Sequence, residues 1–162
     1  MLISNEWLKD YVNVDQSVQA LAERITRTGI EVDDIIDYTK DIKKLVVGHV
    51  LSKTPHPNAD KLNICQVDLG EEEPVQIVCG APNVEAGQKV VVSLIGAMMP
   101  SGLLIKKSKL RGVESQGMIC SLAELGLSKS VVPKNYQEGI YVFETEQELG
   151  SDVVEVLGLN DY

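Results

Sequence analysis

The sequence is poor in aromatic residues, and this shortage excludes one class of nucleic-acid binder. Phe, Trp and Tyr together make up 4% of the 162 residues, and none of them occurs between Tyr38 and Tyr136. Proteins that bind single strands without sequence preference stack the bases on aromatic rings. General single-strand binding is therefore disfavoured, whereas recognition of RNA through phosphates, 2′-hydroxyls and shape stays open.

Cysteine and long apolar runs are also scarce. The three cysteines, Cys65, Cys79 and Cys120, are widely spaced within apolar segments. Because no CxxC or HxxxH pair accompanies them, we expect reduced, buried thiols and no metal site. No run approaches the roughly 18 apolar residues of a membrane span, and the start lacks the features of a secretory signal. These absences predict a cytoplasmic protein without membrane contact.

No arrangement typical of catalysis is present either. The sequence has no Gly-rich phosphate loop ending in Lys-Ser or Lys-Thr, no strand-linked GxGxxG and no recognisable Ser/His/Asp grouping. The acidic cluster Glu71–Glu73 is typical of a solvated turn. We therefore expect neither catalytic residues nor a cofactor in this chain.

The charge is unevenly distributed along the chain. The formal net charge is −9 overall, made up of −3 in residues 1–45, 0 in residues 46–130 and −6 in residues 131–162. A strongly acidic chain is repelled by polyphosphate unless its cations are gathered on one face. The neutral centre holds such a gathering, with four cations in six residues: Lys106, Lys107, Lys109 and Arg111.

The N-terminal segment predicts a small α/β arrangement. Apolar residues recur at helical spacing between Asp15, a candidate N-cap, and Gly29, a candidate stop, which predicts a helix over residues 16–28. A strand is expected before this helix, and the β-branched residues at 30–37 predict another after it.

The C-terminal end predicts a second capped helix over residues 151–158. The N-terminal segment is too short to fold alone, so we expect this helix to pack beside it. Residues 1–43 and 150–162 would then form an incomplete, discontinuous N-terminal α/β domain, and residues 44–149 would be an insertion.

Short β-rich runs divided by Gly, Pro and Asn indicate that the insertion is a barrel. One short helix is expected where Ser121 and Glu124 form a capping box and Gly126 supplies a stop. The predicted fold is therefore α+β, mainly β, with an oligonucleotide/oligosaccharide-binding (OB) barrel inserted into the N-terminal domain. Six strands are predicted, over residues 45–52, 62–69, 75–79, 89–95, 103–111 and 139–143.

The cations fall on the fifth predicted strand. If residues 103–111 stay extended, Lys107, Lys109 and Arg111 share one face at about 7 Å spacing, and Lys106 points the other way. That repeat is close to the phosphate spacing along one nucleic-acid strand. The alternative interpretation is that the lysines protect an exposed strand edge from association.

Two loops add polar groups. The loop between the first two strands is stiffened by Pro55 and Pro57, and its His56 is interpreted as an ordinary loop histidine because no nucleophile accompanies it. In the turn after the third strand, Asn83 could present an amide to a base or sugar, or could serve the turn itself.

Three segments of the chain stand out together. They are His56–Leu62, Val78–Val84, and Lys109–Val113 with Ser115–Ser121. These segments resemble a known family of tRNA-binding barrels, which includes endothelial monocyte-activating polypeptide, free-standing bacterial tRNA-binding proteins and synthetase appendages. The flanks Met1–Leu8 and Thr28–Val32 are similar to the start of bacterial phenylalanyl-tRNA synthetase beta subunits.

The resemblance implies a tRNA-binding module in a fragment of a longer subunit. In such enzymes two alpha and two beta subunits assemble in the cytoplasm, and the alpha subunit carries aminoacylation with ATP and magnesium. The alternatives are a structural or protein-interaction module, and a free-standing tRNA-binding protein or RNA chaperone that ends at Tyr162. The residues expected to contact tRNA are Lys61, Asn83, Lys106, Lys107, Lys109, Arg111, Ser115 and Met118.

Overall fold

The chain divides into two compact units. One comprises Met1–Lys40 and Gly158–Tyr162, and the other comprises Asp41–Leu157. Residues 160–162, which belong to the predicted N-terminal domain, lie outside the described residues. The computed structural model describes residues 1, 3–37, 39, 42–127, 130 and 132–159.

The described residues of the smaller unit form two helices, α1 (Asn5–Lys9) and α2 (Val18–Arg27). The helix predicted over residues 16–28 is confirmed as α2, but its N-cap is Ser17 and not Asp15. The Ser17 hydroxyl accepts a hydrogen bond from the Ala20 amide at 3.3 Å. The expected strands are not formed in the described part of this unit. The N-terminal one is replaced by α1, and residues 30–37 find no paired strand, without which the backbone cannot complete a ladder.

In its described residues, the larger unit is built from seven strands, a 3₁₀ turn at Lys134–Tyr136 and the short helix α3 (Val153–Val156). Five strands form an antiparallel sheet in the order β3-β2-β1-β4-β7, and β5 and β6 form a separate hairpin. The strands are β1 (Leu45–Pro55), β2 (Asn63–Asp68), β3 (Val75–Cys79), β4 (Lys89–Ser93), β5 (Ser108–Leu110), β6 (Val113–Ser115) and β7 (Met118–Ile119).

Strand β1 bends the sheet because it pairs with two different strands along its length. Its first half pairs with β4 and its second half with β2, and the register shifts between Val50 and Ser52. Such a bulge bends a strand and increases its twist. A Cβ added at Gly48 would lie 2.7 Å from methyl groups of both Val67 and Val92. Only glycine therefore lets the side chains of β2 and β4 meet across β1.

The far edges of the sheet approach each other through the hairpin. The Gln116 amide donates to the Gln76 carbonyl at 2.8 Å, and the Gln76 side chain donates to the Glu114 carbonyl at 2.7 Å. The nearly closed sheet confirms the prediction of a mainly β, OB-like barrel with few short helices.

Two predicted strands are shorter than expected. Of residues 103–111, the strand occupies only Ser108–Leu110. Arg111 ends it with a φ of 49°, and Leu104 forms an isolated bridge with Met98 instead of joining it. Residues 139–143 contribute one isolated bridge, between Val90 and Val142. Their backbone bonds go to different segments, Tyr141 to Cys120 and Phe143 to Lys89, so no continuous ladder forms.

The predicted helix after Ser121 is a turn, although its capping box is present. The Glu124 amide donates to the Ser121 hydroxyl at 3.3 Å, and the Ser121 amide donates to the Glu124 carboxylate at 2.7 Å. Gly126 follows with a φ of 83°. Only Leu125 separates the end of the box from the stop, which is too short a stretch to propagate a helix.

Helix α3 packs in the same unit as the barrel. Asp152 caps it by accepting from the Val154 amide at 2.8 Å, and Val153 is fully buried. The Gly150 amide donates to the Val47 carbonyl at 2.9 Å, which ties the approach to α3 onto β1. The structure thus groups residues 150–157 with the barrel, whereas the sequence analysis assigned them to the N-terminal domain.

The barrel core is aliphatic and contains the three cysteines. Val47, Val67, Val90, Val92 and Ile77 are completely buried, and all three thiols are free and buried. Burial raises the pKa of Cys65 to about 11 and that of Cys120 to about 12, so both stay neutral and unreactive. Among the described residues, no helix is long and apolar enough to cross a membrane.

Replacing Gly48 with alanine tests the close approach across β1. The added methyl would overlap Val67 and Val92, and we expect Gly48→Ala to lower the free energy of unfolding by about 1–3 kcal/mol in urea titrations. Gly80→Ala is the matched control, because its methyl would lie 3.2 Å from the end of the Leu62 side chain, which needs to shift far less than the two valines at 2.7 Å from Gly48. Equal stability of the two variants would contradict the assigned packing.

Candidate nucleic-acid interface

The hairpin β5–β6 presents the cationic cluster. Its two strands are joined by Arg111 and Gly112, both with positive φ, of 49° and 89°. Positive φ at both central residues is the geometry of a type I′ turn, whose twist matches that of a two-stranded hairpin. Gly112 adopts it without strain, whereas a non-glycine residue such as Arg111 pays about 1–2 kcal/mol. Arg111 consequently lies at the exposed tip.

The turn changes the predicted row of three cations. Lys109 stands opposite Glu114 in the hairpin register, and Lys107 forms an ion pair with the same carboxylate. Arg111 has left the strand and does not continue the alternation. The expectation that an extended strand over residues 103–111 would place Lys107, Lys109 and Arg111 on one face was wrong, because the strand covers only Ser108–Leu110 and Arg111 turns the chain.

The other cations of the prediction remain available. Within the described part of the chain, no ion pair involves Lys61, Lys106, Lys109 or Arg111. Exposed lysines and an arginine without carboxylate partners lose little when they approach a phosphate. Four of the eight predicted residues therefore offer a positive charge that this chain does not itself neutralise.

A groove of about 610 Å³ lies beside the hairpin. Three predicted residues, Lys106, Ser115 and Met118, line it. Most of its wall is apolar and includes three leucines that are 40–52% exposed: Leu103, Leu104 and Leu110. Met118 belongs to the short strand β7 and is partly buried, as expected for a residue in the groove floor.

Lys61 lies close to this groove. Its carbonyl oxygen is 3.7 Å from the position that a Cβ would take on Gly80, a residue of the groove wall. The loop that carries Lys61 is closed by two backbone bonds, from His56 to Leu62 at 2.9 Å and from Leu62 to Ala59 at 3.2 Å. The structure therefore brings Lys61 to the same side of the barrel as the groove.

Ser115 has a structural role that its exposed neighbours do not share. It is 2% exposed, and its hydroxyl accepts from the Val78 amide at 3.1 Å while donating to the Gly117 carbonyl at 3.0 Å. The hydroxyl thus replaces a ladder bond where β3 meets the hairpin. Contact between Ser115 and tRNA stays a prediction.

Asn83 is also engaged within the protein. Its side-chain amide donates to the Ile140 carbonyl and accepts from the Ile140 amide, both at 2.9 Å. This reciprocal pair fastens the turn after β3 to a segment 57 residues later in the chain. It favours the alternative that Asn83 stabilises the turn, and a contact between Asn83 and a base or sugar stays a prediction.

Sequence analysis did not anticipate the burial of His56. The ring is 5% exposed, and it lies between the loop that follows β1 and the tip of the hairpin. Its Nδ1 accepts from the Asn58 amide at 3.0 Å, and its Nε2 is 2.9 Å from the Leu110 carbonyl. The signal in the sequence was Asn58, two residues on, whose amide a preceding polar side chain can cap.

An aromatic cluster occurs in the barrel unit after the stretch that lacks aromatics. Tyr141 packs between Tyr136 and Phe143, with ring centroids 4.8 and 5.1 Å away. The Tyr136 hydroxyl donates to Glu144, and this bond raises the pKa of Tyr136 to about 12. The surrounding segment carries a net charge of −6, so the cluster is an unfavourable place for phosphates.

The family to which the barrel belongs follows from its sequence. The tRNA_bind family model, described as "Putative tRNA binding domain", matches residues 45–152. The chain belongs to the tRNA-binding domain family. The match begins with β1 and ends at Asp152, the N-cap of α3, and so covers the seven strands found in the described residues.

Relatives of this tRNA-binding domain extend the similarity beyond the barrel. The phenylalanine–tRNA ligase beta subunit of Staphylococcus epidermidis is 77% identical over 99% of this chain and 20% of that protein. The Staphylococcus aureus subunit is 65% identical with the same coverage. Among solved structures, the C-terminal domain of Plasmodium vivax p43 aligns with 54% of this chain and 48% of its own, at 26% identity and a TM-score of 0.41. The chain spans about a fifth of the length of the curated relatives it matches.

Removing the Ser115 hydroxyl tests how this tRNA-binding domain closes. Ser115→Ala leaves the Val78 amide without its acceptor, and we expect a loss of about 1–3 kcal/mol in the free energy of unfolding. Ser108, its exposed partner in the hairpin register, is the matched control, and Ser108→Ala should change stability by less than about 0.5 kcal/mol. Similar losses of stability in the two variants would contradict the role of Ser115 in closing the barrel.

Proposed function

We propose that this domain is an auxiliary tRNA-binding module of a phenylalanine–tRNA ligase beta subunit, binding tRNA through phosphates beside the groove. The supporting observation is that Lys61, Lys106, Lys109 and Arg111, all without carboxylate partners in the described residues, lie on the groove wall, the hairpin and the loop beside them in an acidic chain. The names of the relatives support the assignment to the ligase.

The contact would add to the ligase's main hold on tRNA rather than replace it. Four free cations offer few phosphate contacts, and the net charge of −9 opposes RNA at longer range. Phosphate contacts fix position and carry no sequence information. The module would therefore strengthen and orient tRNA binding without selecting the phenylalanine tRNA by its bases.

The proposal extends to the complete enzyme. There the beta subunit would join an alpha subunit in an alpha2-beta2 tetramer in the cytoplasm, and the alpha subunit would attach phenylalanine to tRNA with ATP and magnesium. The described residues contain no group of three His, Cys, Asp or Glu side chains that could hold a metal ion.

A second candidate is a protein-interaction module within the ligase. The observation that favours it is the exposed apolar wall formed by Leu103, Leu104 and Leu110. Apolar patches of this kind commonly mark protein contacts. The two candidates differ in their response to salt, because phosphate binding weakens steeply as salt rises whereas apolar contact does not.

A salt series of tRNA binding tests the proposed function. We expect the 162-residue chain to bind labelled tRNA at low salt, with log affinity falling by about 0.7–0.9 per phosphate contact for each tenfold rise in salt. Fluorescence anisotropy measures the affinity, and labelled tRNA without protein gives the baseline at each salt concentration. Absence of binding at the lowest salt would contradict the proposal for this chain.

Substitution of two free cations locates the contact. We expect Lys109→Gln with Arg111→Asn to weaken tRNA binding by about 1 kcal/mol or more and to reduce the salt slope by about 2. Asparagine is chosen because it tolerates the positive φ of Arg111. The control Lys53→Gln with Lys134→Gln removes the same charge away from the hairpin. An equal loss in both double variants would show that net charge alone governs the affinity.

A further inference from the structure

His56 joins the two elements that carry the free cations. The ring is buried, and both of its nitrogens are engaged. Since Nδ1 accepts the Asn58 amide hydrogen, the neutral ring must carry its own hydrogen on Nε2. Nε2 therefore donates to the Leu110 carbonyl. The contacts fix the tautomer as well as the orientation of the ring.

The two ends of the hairpin are held by different bonds. Its open end is tied to β3 by Ser115 and by the Gln76 side chain. Near its tip, the described residues offer one hydrogen bond to the rest of the barrel, the one from His56 to Leu110. A hairpin with three residues in each strand is marginally stable by itself. The position of its tip therefore depends on this bond.

The other end of the linkage is a closed loop. Backbone bonds from His56 to Leu62 and from Leu62 to Ala59 fix the segment that carries Lys61. Leu110 immediately precedes Arg111 in the turn. One imidazole thus fixes the separation between Lys61 on the loop and Arg111 on the hairpin tip.

We infer that His56 is a positioning residue for RNA binding, which holds Arg111 and Lys61 at the separation at which both reach phosphates of one bound tRNA. This inference rests on the proposed function. It assigns His56 no contact with RNA, because the buried ring has both nitrogens occupied within the protein. His56 affects RNA binding through the position of Arg111.

A double-mutant cycle separates this role from a general effect on folding. Asparagine in place of His56 keeps an acceptor for the Asn58 amide but is too short to reach Leu110. We expect His56→Asn to weaken tRNA binding about threefold or more and to lower the salt slope by about 1, as Arg111→Asn should. The double variant should bind no more weakly than the worse single variant, because both changes remove the same phosphate contact.

Two further variants complete the design. His56→Gln keeps a donor at nearly the reach of Nε2 and should recover part of the affinity. His49→Gln, at the chain's other histidine, which lies on β1, should bind as the unaltered protein does. Urea unfolding of each variant shows which of them remain folded under the binding conditions. Nitrogen-15 NMR of the unaltered ring should show the tautomer protonated at Nε2.

The outcomes discriminate between the inference and the proposed function. Unchanged affinity in folded His56→Asn, additive losses in the double variant, or the tautomer protonated at Nδ1 would each overturn the inference and leave the proposed function standing. Absence of tRNA binding by the unaltered chain would overturn both. If His56→Asn does not fold, His56→Gln is compared with the unaltered chain. Binding that is weakened but still present in His56→Gln, together with the expected tautomer, supports the inference. Complete loss of binding in folded His56→Gln overturns it.

Discussion

Closure of the barrel through side chains is the constraint on which the rest of the structure depends. The five-stranded sheet does not join β3 to β7 by a regular ladder. The gap is spanned instead by one backbone bond, from the Gln116 amide to the Gln76 carbonyl, and by two side-chain bonds, the Ser115 hydroxyl on the Val78 amide and Gln76 on the Glu114 carbonyl. Buried amides that lack a strand partner must be satisfied in some other way, and a hydroxyl and a carboxamide do so here. The same bonds fix the base of the hairpin and one wall of the groove.

Charge limits what this site can do. The barrel offers free cations in an acidic chain, and Glu114 offsets part of the cluster by pairing with Lys107. The aromatic cluster stands among carboxylates, as the bond from Tyr136 to Glu144 shows. A few phosphate contacts, with little help from long-range attraction or base stacking, fit a module that adds to another tRNA contact.

The sequence predicted the class of fold because strand and turn signals are local. Valine-rich runs separated by Gly and Pro indicated β1 to β4 within a few residues, and apolar spacing found α2. The extended row of cations failed because one residue, Arg111, adopts the left-handed region, which a non-glycine residue rarely does. The strand expected at 139–143 failed because its backbone partners belong to two different segments.

The site was predicted less well than the fold because its polar side chains bond across long stretches of sequence. Ser115 and Val78 are 37 residues apart, Asn83 and Ile140 57, and His56 and Leu110 54. No local pattern distinguishes such an anchoring residue from one that faces a ligand. The exposed lysines were easier to place, because a charged side chain in a short polar segment is usually solvated.

The three motifs that carry the family resemblance bond largely to one another. His56 of the first motif donates to Leu110 of the third, and Ser115 of the third accepts from Val78 of the second. The bond of Ser115 helps to close the barrel and that of His56 holds the hairpin tip, whatever the barrel binds. The motifs therefore identify the fold securely, and the strength of RNA binding is set by cations that the motifs only partly include. Lys106 and Lys107 lie outside all three, and Glu114 stands between the two halves of the third. Two proteins that share the motifs can thus differ widely in affinity for tRNA, since exchanging a surface charge leaves the closing bonds intact.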